Sequence, residues 1–199
     1  MERVCTPGGL SHDSPSLRLA ATVPKVHVYI DGDNFTIGCR DIYYSKPDYK
    51  ALVRLIAREC KATLGTVRYY DSTSSNPATQ PRQQSFWEEL KGKHIEVCLG
   101  RTESNYDGTF RQKECDVMLA CDMLYDALTK QCDVLALVSG DTDFGHAIEL
   151  VHKAGAQVWW IYLPSQSHLH RLLQLIPDEH RILVDDKRFR TIRQQQTYR

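Results

Sequence analysis

Lys25-Val26-His27-Val28-Tyr29-Ile30-Asp31-Gly32-Asp33-Asn34 is an apolar run that stops on four small or polar residues. Its first six positions, rich in Val, Ile and Tyr and free of Gly and Pro, predict a buried strand over 25–30. The pattern recurs at Leu135-Ala136-Leu137-Val138-Ser139-Gly140-Asp141-Thr142-Asp143-Phe144, where a strand over 133–138 runs into acidic residues. Working outward, further strands are expected at 66–70, 94–99 and 157–163, with a candidate at 181–184. Helices are expected at 48–63, 82–91, 114–129 and 143–154, and near 166–175. Leu52, Ile56 and Ala57 would line the first of these helices. Val117, Cys121, Leu124 and Leu128 would form the apolar stripe of the third. Gly155 is a suitable residue to close the fourth. Residues 72–81, with Asn76-Pro77 and Gln80-Pro81, and the charged stretch 100–112 read as loops.

Strands alternating with helices predict one α/β domain, a Rossmann-like three-layer sandwich around a twisted, mostly parallel sheet of about five strands. The domain is expected at 24–185. A mobile leader would occupy 1–23, and a basic polar tail 186–199, with Lys187, Arg188, Arg190, Arg193 and Arg199. Leader or tail is where a protein partner or a second copy would attach. No apolar run reaches bilayer-spanning length, and the start lacks the uninterrupted stretch of a signal peptide. Seven scattered cysteines without a CxxC fit a reducing compartment. The expected location is therefore cytoplasmic, with no membrane partner.

Twenty-five basic side chains balance twenty-five acidic ones. Attraction to a polyanion must then be local or carried by bound metal ions. Asp31, Asp71 and Asp141 each lie just past a strand end, and Asp116 begins the helix that feeds strand 133–138. In open parallel sheets ligands bind beyond the carboxyl ends of strands. Clustered carboxylates repel one another unless they share a proton or bind a cation. One or two Mg²⁺ or Mn²⁺ ions suit oxygen ligands and can activate water against a phosphodiester. Singly, each aspartate also fits a strand end or a helix cap.

Ile30-Asp31-Gly32-Asp33-Asn34-Phe35, Lys113-Glu114-Cys115-Asp116 and Leu137-Val138-Ser139-Gly140-Asp141-Thr142-Asp143-Phe144 resemble the NYN family. These are PIN-like nuclease domains that include the LabA-like group. The resemblance covers roughly residues 25–163. It implies a twisted parallel sheet and metal-dependent cleavage of RNA, an endoribonuclease activity. Asp31, Asp116, Asp141 and Asp143 stand at the family's acidic positions, as catalytic carboxylates and metal ligands. Asn34 would orient carboxylates, Ser139 and Thr142 would offer hydroxyl or N–H groups to phosphate, and Lys113 would face a substrate phosphate. Asp33, Asp71 and Asp122 rank behind these. Asp122 lies six helical positions after Asp116, about 240° around the axis, so both cannot face one metal; a supporting role is expected.

Softer signals have two readings each. Arg68, Arg101 and Arg111 would contact phosphate or sit in solvent. His146 would touch a leaving group or lie on a helix surface. Tyr43, Tyr44 and Tyr49 would stack on bases or pack. Of Trp159 and Trp160, one ring is expected in the core and the other under a flanking helix.

Two rivals stand beside the nuclease reading. Asp31-Gly32-Asp33 imitates the Asp-x-Asp of haloacid-dehalogenase-like phosphatases, but Phe35 departs from that motif, and the acid after Asp141 comes two residues later instead of four or five. The other rival is an RNA-binding module of the same fold without turnover.

Overall fold

The strand opened by Lys25 is apolar over most of its length because it lies in the middle of the sheet, covered on both faces; its one buried polar side chain, His27, is paired with Asp126. β1 (Lys25–Asp31) is buried from Val26 to Ile30. It pairs in parallel with β2 (Thr63–Ser72) on one side and β5 (Val134–Val138) on the other. Strands buried on both faces read as continuous hydrophobic runs. The computed structural model describes residues 22–73, 78–104 and 110–194, with the side chains of 102–104 and 110–113 outside that set. The expected leader thus lies outside the described residues except for its last two positions.

The remaining strands are β3 (Glu96–Ser104), β4 (Phe110–Lys113), β6 (Gln157–Tyr162) and β7 (Arg181–Leu183). The sheet has seven strands in the order β4-β3-β2-β1-β5-β6-β7. Every pairing is parallel except β3 with β4. The count exceeds the expected five. β7 is the candidate at 181–184, whereas β4 falls inside the stretch 100–112 and just beyond it, which read as a loop. An edge strand of Phe110-Arg111-Gln112-Lys113 faces no second partner and needs no apolar alternation.

Helices cover both faces, so the three-layer sandwich stands. α1 (Gly32–Tyr43), α2 (Tyr49–Glu59), α3 (Gln80–Gly92) and α7 (Asp186–Ile192) pack on the face that carries Val26, Val28 and Ile30. α4 (Cys115–Leu128), α5 (Gly145–Lys153) and α6 (His170–Leu175) pack on the face of Tyr29, Leu135 and Leu137. A single 3₁₀ turn over Thr142–Phe144 leads into α5, and Gly155 follows α5 at φ 86°, as expected of the residue that closes it. No helix among the described residues is long and apolar enough to cross a membrane.

Three local readings are corrected. α1 was hidden behind Gly32-Asp33-Asn34, which reads as a turn. The Asp31 side chain caps it by accepting from the Asn34 N–H at 3.3 Å, and Phe35 and Cys39 are buried beneath it. α7 occupies part of the expected polar tail. Asp185 caps it through the Arg188 N–H at 2.8 Å, Phe189 stacks on Tyr43 at 4.0 Å, and Phe189 and Ile192 are buried.

The third correction concerns α4. Val117 and Leu128 are 65% and 64% exposed, and Cys121 is exposed as well. The buried face is Leu119, Met123, Asp126 and Ala127. Asp126 explains the misreading. Its Oδ2 accepts from the Tyr29 hydroxyl at 2.6 Å and from Arg68 at 2.7 Å, and pairs with His27 Nδ1 at 2.8 Å. A buried carboxylate with three partners makes an inward face look like an outward one.

The aromatic residues serve packing. Tyr49 is buried, Tyr43 donates to the Val184 carbonyl, and Tyr44 alone of the three is fully outside. Trp160 is in the core, while Trp159 stacks on His180 at 5.1 Å.

Candidate active site

From β1 the chain winds to β2 and β3 on one side, then crosses to β5 and β6 on the other. The crevice at the carboxyl ends of β1 and β5 is therefore the topological switch point, where open α/β sheets bind ligands. Asp31 closes β1 there, and Ser139-Gly140-Asp141 leaves β5 beside it.

The two strand ends are tied together. Ser139 Oγ donates to Asp31 Oδ2 at 2.7 Å and accepts from the Asp141 N–H at 3.0 Å. The Ser139 carbonyl in turn accepts from the Trp160 indole at 2.8 Å. Asn34 acts differently from expectation. Its backbone N–H bonds Asp31, but its side-chain oxygen accepts from the Gly140 N–H at 2.8 Å and from Gln166 Nε2 at 2.9 Å. Gln166 Oε1 accepts from the Leu163 N–H at 2.9 Å. One amide pair thus joins the ends of β1, β5 and β6. Gly140 leaves the room that the Gln166 amide fills, and a Cβ there would force that side chain to move. The sequence reading missed Gln166; its only signal was a place just past a strand end.

Asp141 Oδ1 accepts from the Asp143 N–H at 2.8 Å, capping the 3₁₀ turn in which Thr142 stands first. Asp116 lies in the first turn of α4, exposed, as is Asp143. Lys113 pairs with Arg101 across β3 and β4, and its side chain lies outside the described residues, as does that of Arg111.

The carboxylates sense one another. Burial pushes Asp31 up to about 6; the Asp116 and Asp141 charges add to this, against the stabilising bonds from Ser139 and Asn34. Asp116 is raised too, by partial desolvation and then by Asp141 and Asp143. Yet among the described residues no three His, Cys, Asp or Glu side chains converge closely enough to hold a metal ion. Both Asp31 oxygens and Asp141 Oδ1 are engaged in the bonds just described. The donor chemistry nonetheless fits one hydrated Mg²⁺ or Mn²⁺. All four groups are hard oxygen donors, and Mg²⁺ usually takes one or two carboxylates and keeps several waters.

Asp71 and Asp122 act as pins. Buried Asp71 accepts from the Trp87 indole at 2.8 Å, from the Ser72 N–H at 2.8 Å and from Gln83 at 3.4 Å. Burial and the nearby Asp33 charge raise its pKa. Asp122 accepts from the Tyr70 hydroxyl at 2.8 Å, holding α4 to β2. Asp33 turns with Asp71 toward a pocket between α1 and α3. Arg68 is held by Asp126 and Glu96, not free for phosphate, and Arg101 lies 3.4 Å from Glu114. His146 is exposed on α5, 3.5 Å from Glu149.

A crystal structure of a protein of unknown function from Vibrio parahaemolyticus is similar, with a TM-score of 0.70 at 22% identity over 88% of this chain and 99% of that one. At that identity the likeness speaks for the fold alone. No curated protein matches the chain. The model of the NYN domain matches residues 25–180, which sets the phosphatase resemblance aside. With that match over most of its length, and with Asp31, Asn34, Ser139 and Asp141 meeting at the switch point, the chain belongs to the NYN domain family, of the PIN-like superfamily.

Proposed function

We propose that the chain is a metal-dependent endoribonuclease acting through Asp31, Asp116, Asp141 and Asp143. The observation that carries this reading is the meeting of Asp31 and Asp141 at the switch point, joined through Ser139 Oγ at 2.7 and 3.0 Å; burial and neighbouring aspartates there disfavour the charged forms of Asp31 and Asp116. A cluster with that excess of negative charge favours a divalent cation. One or two of the four carboxylates would hold it directly, and the others through its waters. When bound, Mg²⁺ or Mn²⁺ supplies an activated water and offsets charge on the phosphodiester. Ser139 Oγ and the Asn34 N–H fix the orientation of the Asp31 carboxylate, one on each oxygen. The Asn34–Gln166 pair fixes the Gly140 backbone from which Asp141 departs.

The test is incubation with labelled single-stranded RNA, structured RNA and DNA in Mg²⁺, Mn²⁺ or EDTA. Cleavage of RNA is expected with metal and none with EDTA. Asp31→Asn and Asp141→Asn are expected to lose cleavage while keeping the fold; retained activity in both would refute the assignment. The protein hydrogen bonds that occupy both Asp31 oxygens and Asp141 Oδ1 suit a second reading, an RNA-binding module of the same fold without turnover. RNA bound in Mn²⁺ and left intact would select it.

A further inference from the structure

Beside the switch point, between α1 and α3, lies a pocket of about 340 Å³, within the usual range for a ligand site. Its walls differ in charge. Asp33 and Asp71 stand where it adjoins the carboxylate edge, and Arg40, Lys46 and Arg82 line the rest. Asp33 and Arg40 are two turns apart on α1, about 10 Å along the axis. Among the described residues none of the three cations forms an ion pair. Lys46 is held below the usual lysine range by partial burial and by the Arg40 and Arg82 charges, with Glu89 opposing. Three cations against two carboxylates, with none of the three ion-paired among the described residues, make the part of the cavity they line suited to an anion.

The pocket also offers an aromatic wall and a hydroxyl floor. Phe86 is half-buried, with Lys46 Nζ 5.6 Å from its ring centre, and it packs on Tyr49 and Tyr69. Both tyrosine hydroxyls meet Thr36 Oγ1, at 2.6 and 3.3 Å. A cationic rim over an aromatic face suits a nucleotide of a single strand, phosphate on the cations and base on the ring. In a chain of zero net charge, this is the local basic patch that such a partner requires.

We infer that this pocket is a nucleotide subsite, taking one nucleotide of a single-stranded RNA next to the bond presented to Asp31. The assignment rests on the nuclease reading for its position but not for its measurement. The probe is a short fluorescein-labelled single-stranded RNA, titrated by anisotropy in EDTA against the full chain carrying Asp31→Asn. Arg40→Ala, Lys46→Ala and Arg82→Ala combined are expected to weaken binding about tenfold or more. They should also flatten the salt dependence by roughly 0.7 for each phosphate that is no longer neutralised. Phe86→Leu is expected to weaken binding with the salt slope unchanged. Arg54→Ala, on the exposed side of α2, is expected to do neither, and matching melting curves exclude unfolding. No measurable binding, or binding and slope indifferent to the three changes, overturns the inference. Pocket-dependent binding together with no cleavage by the wild type in Mn²⁺ would remove the nuclease reading and leave the subsite standing.

Discussion

Replacing Asp31 by asparagine is expected to stabilise the metal-free protein near neutral pH. Asp31 is pushed from its ordinary 3.8 to about 6. At ~1.4 kcal/mol for each pH unit, ionising it in the folded chain costs about 3 kcal/mol more than in the unfolded chain. The native state keeps a proton that the unfolded state releases between pH about 4 and about 6, so stability falls as pH rises through that window. The penalty is complete above it and absent below it. Asparagine keeps the oxygen that accepts from the Asn34 N–H and can donate to Ser139 Oγ, so the two local bonds survive. With partial screening by solvent, the gain is about 1–3 kcal/mol, or roughly 3–10 °C in melting temperature for a domain of this size. Calorimetry in EDTA at pH about 7.5 and about 4 separates the cases: the gain belongs to the first and vanishes at the second. Adding Mn²⁺ should raise the melting temperature of the wild type by mass action and of the variant much less. A variant that melts no higher than wild type at the higher pH, or gains equally at both, would refute the electrostatic argument.

Asp126→Leu is expected to cost about 3–5 kcal/mol in urea unfolding, because it leaves the buried His27 and Tyr29 donors unpaired and Arg68 with only the exposed Glu96; a loss below about 1 kcal/mol contradicts this. The Asp126 pKa is lowered because the Tyr29, His27 and Arg68 bonds outweigh burial, so its stabilisation holds above pH about 4 and fades in acid. Gly140→Ala must displace Gln166 and break its bond to Asn34, so cleavage should fall roughly 10–100-fold, as when partners of metal ligands are removed. Gln166→Ala should match it, and full activity in both would show the amide pair to be dispensable.

Much of this was readable from residues. β1 and β5 are apolar runs because they are central, and the acids at their ends mark the crevice. What escaped reading escaped for local reasons. α1 begins on residues of turn character whose cap is the candidate ligand itself. β4 is an edge strand held by backbone pairing. α7 buries only Phe189 and Ile192, too few apolar positions to announce a helix among so many charges. Gln166 joins the site through an amide, a group that sequence patterns seldom single out.

The misread face of α4 has a physical consequence for the site. Asp116 sits at the start of this helix, where partial desolvation and the Asp141 and Asp143 charges disfavour its charged form. Apolar contacts such as Leu119 and Met123 hold the helix against the sheet but resist sliding and rotation only weakly, since dispersion and burial carry little directionality. Hydrogen bonds carry direction. Asp122 is tied to Tyr70 on β2, and Asp126 to His27 and Tyr29 on β1 and to Arg68 on β2. Two acids one turn apart, each bonded to the central strands, fix both the height and the rotation of α4, and so the place from which Asp116 faces Asp141. On the nuclease reading, the charge buried at Asp126 would then keep Asp116 in place beside the cation proposed for the site. Conservative loss of one anchor, Tyr70→Phe, should therefore lower Mn²⁺ affinity more than it lowers stability, and the reverse order would show that α4 is held by its apolar face alone.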